Sequence, residues 1–199
     1  MVKFIFSLDG TVVTNETLSI IANYFNVVDE IESLTRETMR GNIPFIESFI
    51  RKIFVLSKLP VDEIAELLER VKLHSEIQEF IKSHKENCVI ATSNIGCWCK
   101  KLLEPLGCTY YCSDASVENN KVKKLTHILK KESIVERFKG VGDVVIYIGA
   151  GIDDMESMRL SDVSIATGLT HYPAQNLLSV ADYLVFSEEA LCRQLSQLL

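Results

Sequence analysis

Val2-Lys3-Phe4-Ile5-Phe6-Ser7-Leu8-Asp9-Gly10-Thr11 opens the chain with a short β-branched and aromatic run that ends in a carboxylate and a Gly-Thr turn. Such a run reads as a buried strand, and the turn residues behind it put Ser7 and Asp9 at its carboxyl end. In an open α/β sheet that edge is where ligands are held. Comparable runs recur at residues 88–92, 108–112, 144–148, 163–166 and 183–186, most of them followed closely by Gly, Ser, Asp or Asn. Val144-Val145-Ile146-Tyr147-Ile148 is apolar almost without interruption, as expected of a parallel strand covered by helices on both faces. The expected core is a Rossmann-like α/β fold, a parallel sheet flanked by helices.

The interval between the first two strands is too long for one crossover helix. Apolar residues recur there at helical spacing, at Leu18, Ile21, Ala22 and Phe25, at Ile46, Phe49, Ile50 and Ile53, and at Ile64, Leu67, Leu68 and Val71. Breaks fall at Asn26, at Gly41-Asn42-Ile43-Pro44 and at Leu59-Pro60, where Pro60 can open a helix. The expected division is a core of residues 1–13 and 75–199 and an inserted helical cap of residues 14–74, standing over the carboxyl end of the first strand. The C-terminal segment carries Leu191, Leu195 and Leu198 at helical spacing and reads as a helix packed on the core.

With 199 residues, 47% hydrophobic and 24% charged, the chain can bury one core and a modest insertion. A formal charge of −6 opposes non-specific attraction to nucleic acid or anionic membranes, and the basic Lys121-Val122-Lys123-Lys124 is offset by neighbouring acids. No apolar stretch is long enough for a signal segment or a membrane span, so a cytoplasmic protein is expected. Six cysteines lie largely in apolar runs of a chain large enough not to need staples, and reduced structural thiols are expected. Cys97-Trp98-Cys99 and the Cys108/Cys112 pair invite a zinc reading, but a helix does not converge positions i and i+2, and buried thiols are the simpler account.

Four pieces then fall in a telling order: Ser7-Leu8-Asp9-Gly10-Thr11 after the first strand, Ala91-Thr92-Ser93-Asn94 after the second, a lysine near Lys130-Lys131, and Gly149-Ala150-Gly151-Ile152-Asp153-Asp154 after a later strand. Together they resemble the motifs of the haloacid dehalogenase (HAD) superfamily. The insertion, with Asn15-Glu16-Thr17 at its start and Met39-Arg40-Gly41-Asn42-Ile43-Pro44-Phe45 within it, looks like the C1-type cap of the phosphoserine phosphatase branch.

The resemblance implies a set of roles and two departures from them. The first motif of the family has an Asp nucleophile where this chain has Ser7, followed by an acid/base Asp, here Asp9. A hydroxyl is a poor substitute for a carboxylate as nucleophile and as Mg²⁺ ligand unless a base stands beside it. Ser93 matches the family's phosphate-binding hydroxyl, with Thr92 and Asn94 beside it; a turn or helix cap is the plain alternative. Lys131 is the choice for the phosphate-neutralising lysine, Lys130 the next, and an exposed helix lysine the alternative.

The fourth motif normally supplies two acids around Mg²⁺. Here Ala150 replaces the first, while Asp154 and its neighbour Asp153 remain. Weak or absent Mg²⁺ binding through Asp9, Asp153 and Asp154 is therefore expected. In the cap, Glu16 matches the residue that binds a substrate ammonium, with a first-turn helix acid as the alternative. Lys52 stands where the branch has a carboxylate-binding Arg, and Arg51 lies on another helix face.

Two functional readings follow. In the first, a catalytically impaired relative keeps a phosphate-binding cleft for a small phosphorylated metabolite or a protein partner. In the second, an active phosphomonoesterase uses Asp9 as general acid/base.

Overall fold

A computed structural model describes residues 1–199 and contains one seven-stranded sheet in the order β4-β3-β2-β1-β5-β6-β7. The strands are β1 (Val2–Ser7), β2 (Cys88–Ile95), β3 (Thr109–Glu118), β4 (Lys121–His127), β5 (Val144–Gly149), β6 (Val163–Thr167) and β7 (Tyr183–Val185). All pairings are parallel except β3 with β4. The chain runs outward from β1 to β2 and β3, then crosses back to β5 on the other side of β1. That reversal leaves a crevice at the carboxyl ends of β1, β2 and β5.

Alternate residues of the strands feed the two faces of the sheet. Phe4, Phe6, Ile90, Ile146 and Ile148 join one cluster with Ile77, Phe80, Ile81, Trp98, Leu191 and Leu195. These come from α5 (Ser75–Ser83), α6 (Gly96–Leu103) and α9 (Glu188–Gln197). Ile5, Val89, Ala91, Val145 and Tyr147 face the other way, onto Ile134, Val135 and Met158 of α7 (Lys131–Gly140) and α8 (Met155–Leu160). Burial of both faces explains why β5 is apolar along its length.

Between β1 and β2 lie α1 (Thr17–Tyr24), α2 (Val28–Met39), α3 (Phe45–Leu56) and α4 (Val61–Glu69) before α5. Pro44 and Pro60 directly precede α3 and α4. Helix α4 packs on α6, and α1, α2 and α3 extend the layer beyond it. The segment leaves and rejoins the sheet domain at adjacent points: Thr14 N donates to Lys72 O (3.0 Å), and His74 N donates to Val12 O (2.9 Å). Ile64, Leu68, Ile53 and Phe49 join the same cluster as Phe4 and Phe6.

Two elements depart from expectation. Strand β3 runs on past residue 112 to Glu118 and turns through Asn119-Asn120, at φ 51° and 59°, into the antiparallel β4. Two residues at positive φ make a tight hairpin, for which Asn is well suited. The basic stretch of residues 121–124 thus belongs to an edge strand, whose lysines also discourage further strand pairing. Helix α2, whose apolar residues are only Val28, Ile31, Leu34 and Met39, lies outside the three helical spacings read from the sequence.

Candidate functional site

The turn after β1 assembles the site. Gly10 sits at φ +74°, and a Cβ there would stand 2.8 Å from the Ala150 Cβ and 3.0 Å from His171 Nε2. A side chain is excluded both by the backbone angle and by space. The turn therefore holds the end of β1 against the end of β5 and against the loop that follows β6.

Asp9 leaves this turn toward the first inserted helix. Its Oδ1 accepts the backbone N–H of Thr17 (2.6 Å), and its Oδ2 accepts Thr17 Oγ1 (3.1 Å) and Asn94 Nδ2 (2.7 Å). One carboxylate thus caps the N-terminus of α1, where helix polarity favours an anion. Burial and the nearby Glu16 outweigh these donors and push the Asp9 carboxyl up to about 7.

Lys131 opens α7 and is 5% exposed. Its Nζ donates to Ser7 Oγ (3.0 Å) and Asp154 Oδ1 (2.7 Å) and forms an ion pair with Asp153 Oδ2 (2.7 Å), so three oxygens surround the ammonium. Burial alone would favour its neutral form, but the charges of Asp153 and Asp154 dominate and hold its pKa well above that of an ordinary lysine. Lys131 is therefore a fixed cation beside Ser7, without the free electron pair needed to activate that hydroxyl.

Asp154 lies behind this group. It is fully buried, accepts from Lys131 and Tyr147 Oη (both 2.7 Å) through Oδ1, and from the N–H groups of Ala150 (2.9 Å) and Gly151 (2.8 Å) through Oδ2. Four donors thus surround its carboxylate, and in this structure Asp154 is the buried anchor of Lys131. Asp153 reaches the cleft instead, and there pairs with the Lys131 ammonium and accepts from Ser93 Oγ (3.1 Å).

A single cleft of about 160 Å³ brings together Ser7, Asp9, Glu16, Lys52, Thr92, Ser93, Asn94, Lys131 and Asp153. Phe45, Phe49 and Lys52 of α3 line the side opposite the sheet edge. Burial lowers the pKa of Lys52, and Glu16, Asp153 and Asp9 oppose that shift. Arg51 pairs outside with Glu47, and Lys130 is exposed ahead of α7. Thr92 Oγ1 accepts the N–H of Asn94 (3.2 Å), which braces the carboxyl end of β2, where its pairing with β3 shifts register.

Glu16 has a partner far away in sequence. Its Oε1 lies 3.0 Å from His171 Nε2, while His171 Nδ1 lies 2.9 Å from the carbonyl of Tyr172. The Glu16 hydrogen bond, reinforced by its charge, raises His171 to about 9 against the opposing effect of burial. The only signal for His171 was its place after a parallel strand. Tyr147 and Thr17 were equally silent, as a strand-core residue and a helix residue.

The donor set does not fit the Mg²⁺ ion that the motif resemblance implied. Ser7 and Ala150 offer no carboxylate, Asp154 is surrounded by donors, and Asp153 is tied to Lys131. No group of three or more Asp, Glu, His or Cys side chains converges here or elsewhere in the chain. The six cysteines are unpaired, and burial pushes the thiols of Cys97, Cys108 and Cys192 up to about 11 and those of Cys88 and Cys112 to about 12. Ile95 and Trp98 lie in the core.

Residues 4–162 match the family model of haloacid dehalogenase-like hydrolases. Phosphoserine phosphatases of Archaeoglobus fulgidus and Methanocaldococcus jannaschii are each 27% identical, over 81% of this chain. The chain spans 51% of the length of the former and 83% of the latter. A solved structure titled as a phospho-aspartyl intermediate analogue of phosphoserine phosphatase superposes with a TM-score of 0.82 and 22% identity, over the whole of both chains. No helix is long and apolar enough to cross a membrane.

Proposed function

Because the chain belongs to the haloacid dehalogenase-like hydrolase family, we propose that its cleft receives the phosphate of a small phosphorylated molecule while phosphoryl transfer is impaired. The protein then acts as a binding or regulatory module, with residues 14–74 as the cap over the cleft. One observation carries this reading: at the place of the implied attacking carboxylate, Ser7 Oγ stands 3.0 Å from a lysine that stays charged. Without a base a serine hydroxyl is a weak nucleophile, and phosphoryl transfer relies on positioning and charge stabilisation that the missing acids would have helped to supply.

The cradle itself keeps its donors. Ser93, Asn94 and Lys131 are held by β2 and α7, and an anion entering the cleft meets no carboxylate at position 7. Weak Mg²⁺ binding belongs to the same proposal. We place the protein in the cytoplasm, where unpaired thiols are the ordinary state.

An active phosphomonoesterase is the second reading, favoured by Asp9, whose carboxyl at about 7 suits a general acid/base. A panel of phosphate esters with Mg²⁺, run on the unaltered protein and on Asp9→Asn, separates the two. Phosphate binding in calorimetry with no turnover supports the binding module. Turnover that is lost in Asp9→Asn overturns it.

A further inference from the structure

The Glu16–His171 pair bears on which phosphorylated molecules the cleft accepts. His171 Nδ1 faces a carbonyl oxygen, which can only accept, and Nε2 faces a carboxylate, which at neutral pH can only accept. Both nitrogens therefore carry protons, and the ring is an imidazolium. Its raised pKa, about 9, agrees with that geometry. Glu16 and His171 both line the cleft, and their side chains are 40% and 41% exposed.

Glu16 is consequently not a free carboxylate waiting for a cation. An ammonium group brought to it would lie against the imidazolium and in a cleft that also contains Lys52 and Lys131. Lys52 in turn senses the charges of Glu16, Asp153 and Asp9, so these groups act on one small space. A carboxylate, by contrast, finds Lys52 available: Lys52 lines the cleft and forms no ion pair with a carboxylate of the protein, whereas Arg51 beside it is paired with Glu47.

Resting on the phosphate-cleft reading above, we infer that the cleft selects phosphorylated carboxylic acids that bear a hydroxyl in place of an amino group, and that His171 is the residue that sets this preference. It does so by neutralising Glu16 with a cation from the core domain. Gly10 makes the arrangement possible, since any side chain there would collide with the His171 ring.

A matched pair of probes tests it: 3-phosphoglycerate and O-phospho-L-serine, which differ at one carbon in hydroxyl against ammonium, titrated calorimetrically with inorganic phosphate as a control. The unaltered protein is expected to bind 3-phosphoglycerate at least about tenfold more tightly, because like charges brought together in a confined site disfavour the amino compound. His171→Gln keeps a hydrogen-bond donor without the charge, and His171→Ala removes both; each is expected to raise phosphoserine affinity about tenfold and to leave 3-phosphoglycerate within about threefold. Melting curves of both variants confirm that they fold. Equal or tighter binding of phosphoserine to the unaltered protein, or a ratio that neither variant moves, overturns the inference while phosphate binding leaves the cleft reading standing. If none of the three probes binds, the cleft reading fails and this inference with it.

Discussion

The carboxylate of Asp153 forms an ion pair with the Lys131 ammonium at 2.7 Å, and the same oxygen accepts a hydrogen bond from Ser93 Oγ at 3.1 Å. Those two donors are the ones the motif resemblance assigns to a phosphate, so the chain's own anion occupies their common ground. An incoming phosphate must displace it. Replacing Asp153 by Asn removes the competing charge and leaves Lys131 paired with Asp154. Phosphate affinity in Asp153→Asn is expected to rise by about tenfold, read by calorimetry. A fall in affinity would mean that Asp153 helps to build the site.

Ser7 makes a complementary prediction. With a hydroxyl at that position, phosphate approaches without meeting a negative group; Ser7→Asp would place two anions side by side. In metal-free buffer, Ser7→Asp is expected to weaken phosphate binding by about tenfold. The doubly altered Ser7→Asp, Ala150→Asp protein should bind Mg²⁺ in calorimetry where the unaltered one does not. Millimolar or tighter Mg²⁺ binding by the unaltered chain would remove the basis for this prediction.

Lys131 is a structural cation as well as a site residue. Deleting it strands Asp154, which is fully buried, and Asp153 beside it. Breaking a buried pair by removing one partner commonly destabilises by about 3–5 kcal/mol, and Lys131→Ala is expected to lose stability on that scale in urea unfolding. A loss below about 1 kcal/mol would place Lys131 in the class of exposed ion pairs.

Asp9 ties stability to pH. Burial, then Glu16, raises its folded-state carboxyl to about 7, above the value near 4 of an unfolded chain. Between those values the folded state binds the extra proton, so the contribution of Asp9 is full below pH about 4 and is lost as pH rises through about 7. The melting temperature of the unaltered protein minus that of Asp9→Asn should therefore fall steadily from pH 5 to pH 8. A difference that is flat, or that grows with pH, would contradict the raised pKa.

The main strands were legible because burial on both sheet faces leaves a plain mark: a short apolar run ending in turn residues. Val144-Val145-Ile146-Tyr147-Ile148 and the run before Ser7 are of this kind. The β4 edge strand was not legible, since an edge needs no apolar face and Lys121, Lys123 and Lys124 are exposed. Helix α2 escaped for a related reason, with only Ile31 and Thr38 buried.

Within the cleft the limits are similar in kind. The residues that the motif resemblance picked out, Ser7, Asp9, Ser93, Lys131 and Asp153, line one cleft, because strand ends in a parallel sheet converge on one edge and α7 starts beside it. Spacing also announced that positions 7 and 150 lack acids, a matter of residue identity alone. Partnership is another matter. Asp153 and Asp154 are adjacent in the chain, yet one faces the cleft and the other is enclosed by Tyr147, Lys131 and two backbone amides; backbone direction separates them, and one-dimensional order carries no direction. Glu16 and His171 lie 155 residues apart, and their pairing exists because a glycine turn lets a loop from the far side of β5 pass over the end of β1. Charge balance in a confined space depends on such distances, which arise when the chain closes on itself.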